Sequence, residues 1–225
     1  MNKHALSKYY EKYRDDGYII LKDIVNADRI HELTRICHMI LKKHGVVQKD
    51  ISKVHQSRSD VVNSYFPRSH HNKELMETVR EINDDELKEI LGFLSVGNLT
   101  VPENGTVISW MPESVKNEFC GFHQDGPEDS IEFGDHHIWI PITEERKYNF
   151  RVLPGTHLNG NYPHSIFAQF IRIPEQILKQ INGNELALTI GCGDVLIFST
   201  RLIHSLKLNY TDTVCWSLEY TCKNR

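Results

Sequence analysis

Apolar positions in the first hundred residues recur every three or four residues, which is the period of an amphipathic helix. The pattern predicts three helical segments: one that ends at Gly17, one from Asn26 to Gly45, and one over about 73–94. Asn26 is a typical N-cap, and the two glycines are typical helix stops. A short buried strand is predicted directly after Gly17, and the polar, aromatic stretch 52–72 is predicted to be a long loop.

After residue 100 the helical period gives way to short apolar segments separated by proline, glycine and asparagine. The predicted strands are Thr106–Trp110, Phe119–His123, His136–Ile142, Phe150–Leu153, Glu185–Ile190, Val195–His204 and Thr213–Thr221. Many short strands at this density of turns predict a sandwich or a barrel. With 225 residues, the chain is expected to form one domain, helical over about 1–98 and with a β core over about 99–225.

The composition narrows the classes of partner. A net charge of −4 argues against nucleic-acid binding, because no basic excess is available to neutralise phosphates. The apolar stretches are too short to span a bilayer, and the N-terminal residues lack the apolar core of a signal peptide. The five cysteines form no CxxC pair and their odd number fits no complete disulfide framework, so we expect a reduced, cytoplasmic compartment. The sequence does not indicate the oligomeric state.

His123 and Asp125, which are separated by one residue, carry the strongest chemical signal when they are taken together with His204. Side chains alternate along a strand, so His123 and Asp125 share a face and one strand end can supply both. Two imidazoles and one carboxylate, with no fourth protein ligand, are the facial triad of non-haem Fe(II) oxygenases. A single histidine in a strand is more often structural, so this interpretation depends on the segments that accompany the motif.

Those segments come in a definite order along the second half of the chain. The series is His123-Gln124-Asp125, His137–Ile142, Arg151–His157 with its Pro154-Gly155 turn, Gly193–Phe198, His204-Ser205 and Trp216–Glu219. It resembles the phytanoyl-CoA dioxygenase-like family of Fe(II)/2-oxoglutarate oxygenases, strongly over about 118–222 and loosely before that.

The resemblance implies a double-stranded β-helix, a cupin-like jelly roll, in which His123, Asp125 and His204 bind the iron. It also implies a non-haem iron dioxygenase that uses 2-oxoglutarate and O₂ to hydroxylate or otherwise oxidise a small molecule. No catalytic residue beyond the metal ligands is predicted, and no residue indicates which substrate is used. The residues expected to line the barrel share the parity of His204 in the predicted strand: Leu196, Phe198, Leu202 and Leu206.

The predicted co-substrate site departs from the family pattern at one position. Family members carry an arginine two residues before the serine of the last strand, where it binds the distal carboxylate of 2-oxoglutarate; here Cys215 precedes Ser217. A thiol has no positive charge, and loss of a charge-assisted hydrogen bond costs about 1.5–3 kcal/mol. Arg201 and Arg151 are the candidate replacements, although strand parity points Arg201 away from the interior and Arg151 lies just before a turn.

Several alternatives stay open on the sequence alone. The cation could be relocated, the chain could be an iron oxygenase that does not use 2-oxoglutarate, or it could be a catalytically silent jelly roll that binds a metal or ligand. A zinc hydrolase is disfavoured because no carboxylate base is evident beside the triad. His136 and His137 cannot chelate one ion, because adjacent strand residues face opposite sides. A basic patch at Arg68–Lys73 would serve an anionic substrate group or be a solvated loop.

Overall fold

The structure is a computed structural model of the chain. It describes residues 3–43, 45–46, 50–54, 56, 85–94, 99–100, 105–110, 121–125, 136–143, 148–167, 170–181, 183–206 and 212–224. The helices are α1 (Lys3–Asp16), α2 (Ala27–Lys43), α3 (Asp85–Leu94) and the short α4 (Glu175–Leu178), with 3₁₀ turns at Ile51–Lys53 and Thr156–Asn159. The strands are β1 (Tyr18–Leu21), β2 (Leu99–Thr100), β3 (Gly105–Trp110), β4 (His136–Pro141), β5 (Tyr148–Leu153), β6 (Ser165–Phe167), β7 (Phe170–Arg172), β8 (Leu186–Ile190), β9 (Val195–Ser199), β10 (Ile203–Leu206) and β11 (Cys215–Asn224).

The N-terminal helices begin and end where the sequence predicts. Gly17 ends α1 with a φ of 83°, and a side chain there would lie 2.5 Å from the ring of His157, so only glycine fits. The side chain of Asn26 accepts a hydrogen bond from the backbone N–H of Arg29 at 3.0 Å, which caps α2. Gly45, with a φ of 77°, ends it. Of the third predicted helix, α3 is observed, and residues 73–84 lie outside the described residues.

The larger sheet is antiparallel, with the strand order β1-β9-β4-β11-β2, and β3 also pairs with β11. Alternate residues of β4, such as Ile138 and Ile140, face the helices and are completely buried there. Leu33 of α2 and Leu87 of α3 belong to the same apolar cluster. The helical part therefore covers one face of the large sheet.

The opposite face of the large sheet is turned towards a smaller antiparallel sheet with the order β10-β5-β8. The two sheets share a second apolar cluster, here called the barrel interior. Its members are Tyr18, Trp139, Phe150, Val152, Leu188, Ile190, Leu196, Phe198, Leu202 and Cys215. Side chains from both sheets interdigitate across this cluster, as in a closed sandwich or jelly roll.

The predicted strand Val195–His204 is wrong as a single strand. The chain forms β9 in the large sheet, turns through Thr200–Leu202, and continues as β10 in the small sheet. The backbone N–H of Leu202 donates to the carbonyl of Ser199 at 2.8 Å, which closes the turn. Because the two sheets face each other, Phe198 and Leu202 still both reach the barrel interior.

Two further differences concern regions around the small sheet. Of the predicted strand Phe119–His123, the described part forms only an isolated bridge between His123 and His204. The β6–β7 hairpin and α4 have no counterpart among the predicted elements, because their segments carry no clear alternating pattern. Within the described ranges, no helix is both long and apolar enough to cross a membrane.

Candidate metal centre

His123, Asp125 and His204 converge beside the turn between β9 and β10. The backbone groups of His123 and His204 exchange two N–H to carbonyl hydrogen bonds of 3.0 Å, and the N–H of Asp125 donates to Thr200 at 3.0 Å. This pairing brings the three side chains together. Asp125 Oδ1 lies 3.3 Å from His123 Nε2, and Asp125 Oδ2 lies 3.3 Å from His204 Nε2. The three donor atoms lie within 4.8 Å of one another.

The rings of His123 and His204 are each oriented by a hydrogen bond at Nδ1, the nitrogen on the far side from Asp125. His123 Nδ1 lies 2.9 Å from the carbonyl oxygen of Gly121, and His204 Nδ1 lies 2.9 Å from that of Leu202. A carbonyl only accepts, so each Nδ1 carries the proton and each Nε2 presents its lone pair towards Asp125. Ligating histidines are commonly fixed in this way by a hydrogen bond from the second ring nitrogen.

The donor set fits a divalent first-row metal. Metal–imidazole bonds of about 2.0–2.1 Å place two ligands at right angles roughly 3 Å apart, close to the 3.3 Å separations of the carboxylate and imidazole atoms. Two nitrogens and one carboxylate oxygen on one side of the ion leave further octahedral positions open.

The surroundings favour the protonation states that bind a metal. Burial lowers the pKa of His204 to about 4, so its imidazole is neutral at physiological pH. Burial alone would raise the pKa of Asp125, but the neighbouring His204 and His137 rings outweigh it and hold the pKa well below its usual value. Phe150 stacks parallel to the His204 ring at 5.2 Å between centroids, which shields this ligand from water.

His137 and Glu219 adjoin the triad, and sequence reasoning did not predict this. His137 Nδ1 lies 2.7 Å from Asp125 Oδ2, and His137 Nε2 lies 2.6 Å from Glu219 Oε1. Burial would lower the pKa of His137, but the carboxylates of Glu219 and Asp125 outweigh it and raise the pKa to about 10. The carboxylate of Glu219 therefore lies near the triad, contrary to the expectation that was used to disfavour a zinc hydrolase. It is hydrogen-bonded to His137.

Asp125, His137 and Glu219 also lie close enough to suggest a second metal position. The imidazole ring, however, stands between the two carboxylates and turns a different nitrogen to each. One ion cannot occupy both contacts, so the geometry favours a hydrogen-bonded chain. His136 faces the opposite side of β4, as expected, where its Nδ1 lies 2.5 Å from Tyr13 Oη.

The model of the phytanoyl-CoA dioxygenase family matches residues 13–213. The chain belongs to the phytanoyl-CoA dioxygenase family. Membership confirms the family and the enzyme class predicted from the sequence, a non-haem iron dioxygenase. A search of curated protein sequences finds no match.

Solved structures of iron oxygenases share the fold at low sequence identity. The non-haem α-ketoglutarate-dependent carbocyclase SnoK from nogalamycin biosynthesis is 18% identical with a TM-score of 0.70, over 100% of this chain and 84% of SnoK. The epimerase SnoN, solved with Fe³⁺, α-ketoglutarate and nogalamycin RO, is 15% identical with a TM-score of 0.69, over 99% and 85%. EctD from S. alaskensis, solved with 2-oxoglutarate and 5-hydroxyectoine, is 16% identical with a TM-score of 0.67, over 100% and 76%. The predicted jelly roll with N-terminal helices is thereby confirmed.

Against this family pattern, the predicted co-substrate residues divide into two groups. Cys215 and Ser217 are both buried on β11, and Cys215 belongs to the apolar barrel interior. Arg151 lies on the other face of β5, where its Nη1 is 3.2 Å from Glu185 and its guanidinium stacks on Phe122 at 4.8 Å. The structure therefore does not bring Arg151 to Cys215.

Arg201 lies in the turn that joins β9 to β10. Its backbone carbonyl accepts a hydrogen bond from Gln124 Nε2 at 2.5 Å. This bond helps to hold Gln124, which lies between the two proposed ligands His123 and Asp125 in the sequence. The observed role of Arg201 is in the backbone of the turn. The basic patch at Arg68–Lys73 lies outside the described residues.

Proposed function

We propose that the chain is a non-haem Fe(II) oxygenase that acts on a small molecule and binds iron through His123, Asp125 and His204. The observation that carries the proposal is the convergence of two Nε2 atoms on one buried carboxylate, with both Nδ1 atoms tied to carbonyls. Iron held there would supply the activation of O₂ that the family uses for oxidation.

The residues around the triad have separate tasks in this proposal. His123 and His204 donate as neutral imidazoles, and Asp125 contributes one negative charge to the ion. Phe198 and Phe150 pack against the His204 ring with centroid distances of 4.8 and 5.2 Å. These two rings shield the His204 imidazole from water.

2-Oxoglutarate is the co-substrate we propose first, because the family uses it and because Ser217 is retained. Its distal carboxylate does not find a guanidinium at position 215, where the thiol is surrounded by aromatic and aliphatic side chains. A thiol has no positive charge with which to bind that carboxylate. The apolar environment of Cys215 favours a second candidate, an iron oxygenase whose co-substrate has no distal charge or which needs none.

Three wider features complete the proposal. We propose that 1–225 acts as one unit, because α2 and α3 share an apolar cluster with the large sheet. We propose a cytoplasmic, reducing location, which is supported by the four described cysteines, none of which forms a disulfide: Cys37, Cys192, Cys215 and Cys222. The proposed partners are O₂ and a small molecule, without nucleic acid or membrane.

Anaerobic titration tests the function. The purified protein is loaded with Fe(II), 2-oxoglutarate is added without O₂, and the visible spectrum is recorded; the Asp125→Ala protein is the control. We expect iron to bind to the unsubstituted protein alone, with a metal-to-ligand charge-transfer band after 2-oxoglutarate is added. Iron binding without the band would support the second candidate. Absence of specific iron binding would overturn both and leave a catalytically silent jelly roll.

A further inference from the structure

We propose that His137 and Glu219 are positioning residues of the metal centre: His137 holds the carboxylate of Asp125, and Glu219 holds His137. This inference rests on the proposed function, since it assumes that Asp125 is a metal ligand. His137 and Glu219 are thus two charged side chains of the barrel that lie outside the proposed iron triad but act on it.

The position of His137 follows from the alternation of β4. Its neighbour His136 faces the helices and Tyr13. Trp139, which has the same parity as His137, faces the barrel interior. His137 points to the same side as Trp139 and stacks on Phe198, with ring centroids 5.0 Å apart and an interplanar angle of 29°. The ring is therefore fixed in orientation by an aromatic neighbour as well as by its hydrogen bonds.

Both ring nitrogens of His137 are committed to carboxylates. Nδ1 donates to Asp125 Oδ2 at 2.7 Å and Nε2 donates to Glu219 Oε1 at 2.6 Å. The side chains of Asp125, His137 and Glu219 are 17%, 11% and 21% exposed, so water competes weakly for these contacts. Charge-assisted hydrogen bonds of this length are stronger than neutral ones and restrict the direction of the carboxylate.

The hydrogen bond from His137 fixes the orientation in which the Asp125 carboxylate would bind a metal. Oδ2 accepts the hydrogen bond from His137 and also lies 3.3 Å from His204 Nε2, while Oδ1 lies 3.3 Å from His123 Nε2. A carboxylate held by His137 therefore keeps one orientation towards the two proposed imidazole ligands. Outer partners of this type tune ligand geometry, and their loss typically weakens metal binding about 10- to 100-fold.

A purely structural role for the pair is the competing explanation. Buried ion pairs are often replaceable by apolar side chains at little or no loss of stability, so a stabilising role alone gives a weak reason for this arrangement. The two explanations predict different effects on metal binding. A positioning role changes the affinity and the spectrum of the bound ion, whereas a structural role changes the melting temperature alone.

The test uses Co(II) as the probe metal and four variants of the full chain. His137→Phe keeps a ring to stack on Phe198 but removes both donors. His137→Asn restores an amide N–H near the position of Nδ1 without a link to Glu219. Glu219→Gln is nearly isosteric and keeps an acceptor for Nε2. His136→Phe is the matched control, because it alters the adjacent buried histidine on the opposite face of the same strand.

Calorimetric Co(II) titration, the visible spectrum of bound Co(II) and the melting temperature of the metal-free protein are measured for each variant. We expect His137→Phe to weaken Co(II) binding about 10- to 100-fold and to shift its bands. His137→Asn should recover most of the affinity, and Glu219→Gln should weaken binding by a smaller factor. His136→Phe should keep the affinity and spectrum of the unsubstituted protein, even where its melting temperature falls.

Unchanged affinity and bands in His137→Phe would overturn the inference while the iron triad stands. Equal losses in His137→Phe and His136→Phe, or no recovery in His137→Asn, would also overturn it in favour of a general structural role. If His137→Phe does not fold, Glu219→Gln decides: an unshifted spectrum and affinity in this variant would reject the inference. Failure of the unsubstituted protein to bind Co(II) would reject the proposed metal centre along with it.

Discussion

The two ends of the barrel interior differ in kind. At the end beside the β9–β10 turn, five polar or charged side chains contact one another: His123, Asp125, His137, His204 and Glu219. Cys215, four residues before Glu219 on the same face of β11, belongs instead to the apolar interior cluster, which has aliphatic members such as Leu188, Ile190 and Leu196. The residues proposed as metal donors thus lie together at one end, whereas the position of the family's co-substrate arginine is part of an apolar core.

The proposed iron ligands and the co-substrate position thus depend on different residues of one barrel. The metal donors depend on the bridge between His123 and His204 and on local Nδ1–H contacts, none of which involve β11 residue 215. Cysteine in place of arginine at position 215 therefore removes the family's co-substrate anchor without disturbing the proposed metal donors.

Leu196→Ala tests most strongly whether the apolar interior cluster that contains Cys215 is tightly packed or hydrated. Leu196 is completely buried in this cluster, so we expect a loss of about 2–5 kcal/mol in the free energy of unfolding. Urea denaturation measures this loss, and Leu186→Ala is the control, because Leu186 is 43% exposed and its substitution should cost about 0.5 kcal/mol or less. A cost below about 1 kcal/mol for Leu196→Ala would indicate a hydrated interior.

Two histidines of the charged end, together with His136 on the other face of β4, predict a stability maximum near neutral pH in the metal-free protein. The pKa of His204 and that of His136 are lowered to about 4, so their stabilisation is present above about 6.5 and is lost as the pH falls towards 4. The pKa of His137 is raised to about 10, so its stabilisation is present below about 6.5 and is lost as the pH rises towards 10. Each of these histidines contributes about 3–5 kcal/mol to the pH dependence.

Urea midpoints in the presence of a chelator, at pH values on both sides of 6.5, check this dependence. His137→Phe should flatten the alkaline limb selectively, and His136→Phe should reduce the acid limb. A profile that is flat between pH 5 and 9, or an alkaline limb that persists without His137, would show that the histidines do not have these protonation states.

Cys215→Arg compares the two ends directly and should have a smaller effect. The thiol is 6% exposed within the apolar cluster, so a guanidinium should overpack the site and cost about 1–3 kcal/mol without tightening 2-oxoglutarate binding. Calorimetry with 2-oxoglutarate and melting temperatures measure both effects, with Cys215→Ser as the small polar control. A gain of about tenfold or more in affinity, at an unchanged melting temperature, would instead mean that the site is an intact pocket that has lost only its anchor.

The sequence predicted the helices and most strands from alternation and caps, and the order of the motifs singled out the three residues of the proposed metal site, which converge in the structure. It could not predict the division of Val195–His204 into two strands, because the parity of its apolar residues is the same whether the chain continues or changes sheet. Glu219 was missed although it shares the parity of Cys215 and Ser217, which could have indicated an inward carboxylate. Its contact with His137 depends on the register of β4 against β11, which pairs Glu219 with Trp139 and Thr221 with His137, and a local pattern does not contain that information.

Anaerobic calorimetric titration of Fe(II) into the unsubstituted and the His204→Ala proteins tests the metal centre most directly. His204 supplies one of three donors, and the chain is large enough to keep its fold without a metal, so the variant should retain its secondary structure. We expect one Fe(II) per chain in the unsubstituted protein and no specific binding in His204→Ala. Stoichiometric iron of unchanged affinity in His204→Ala would contradict the assignment of His123, Asp125 and His204 as the ligands.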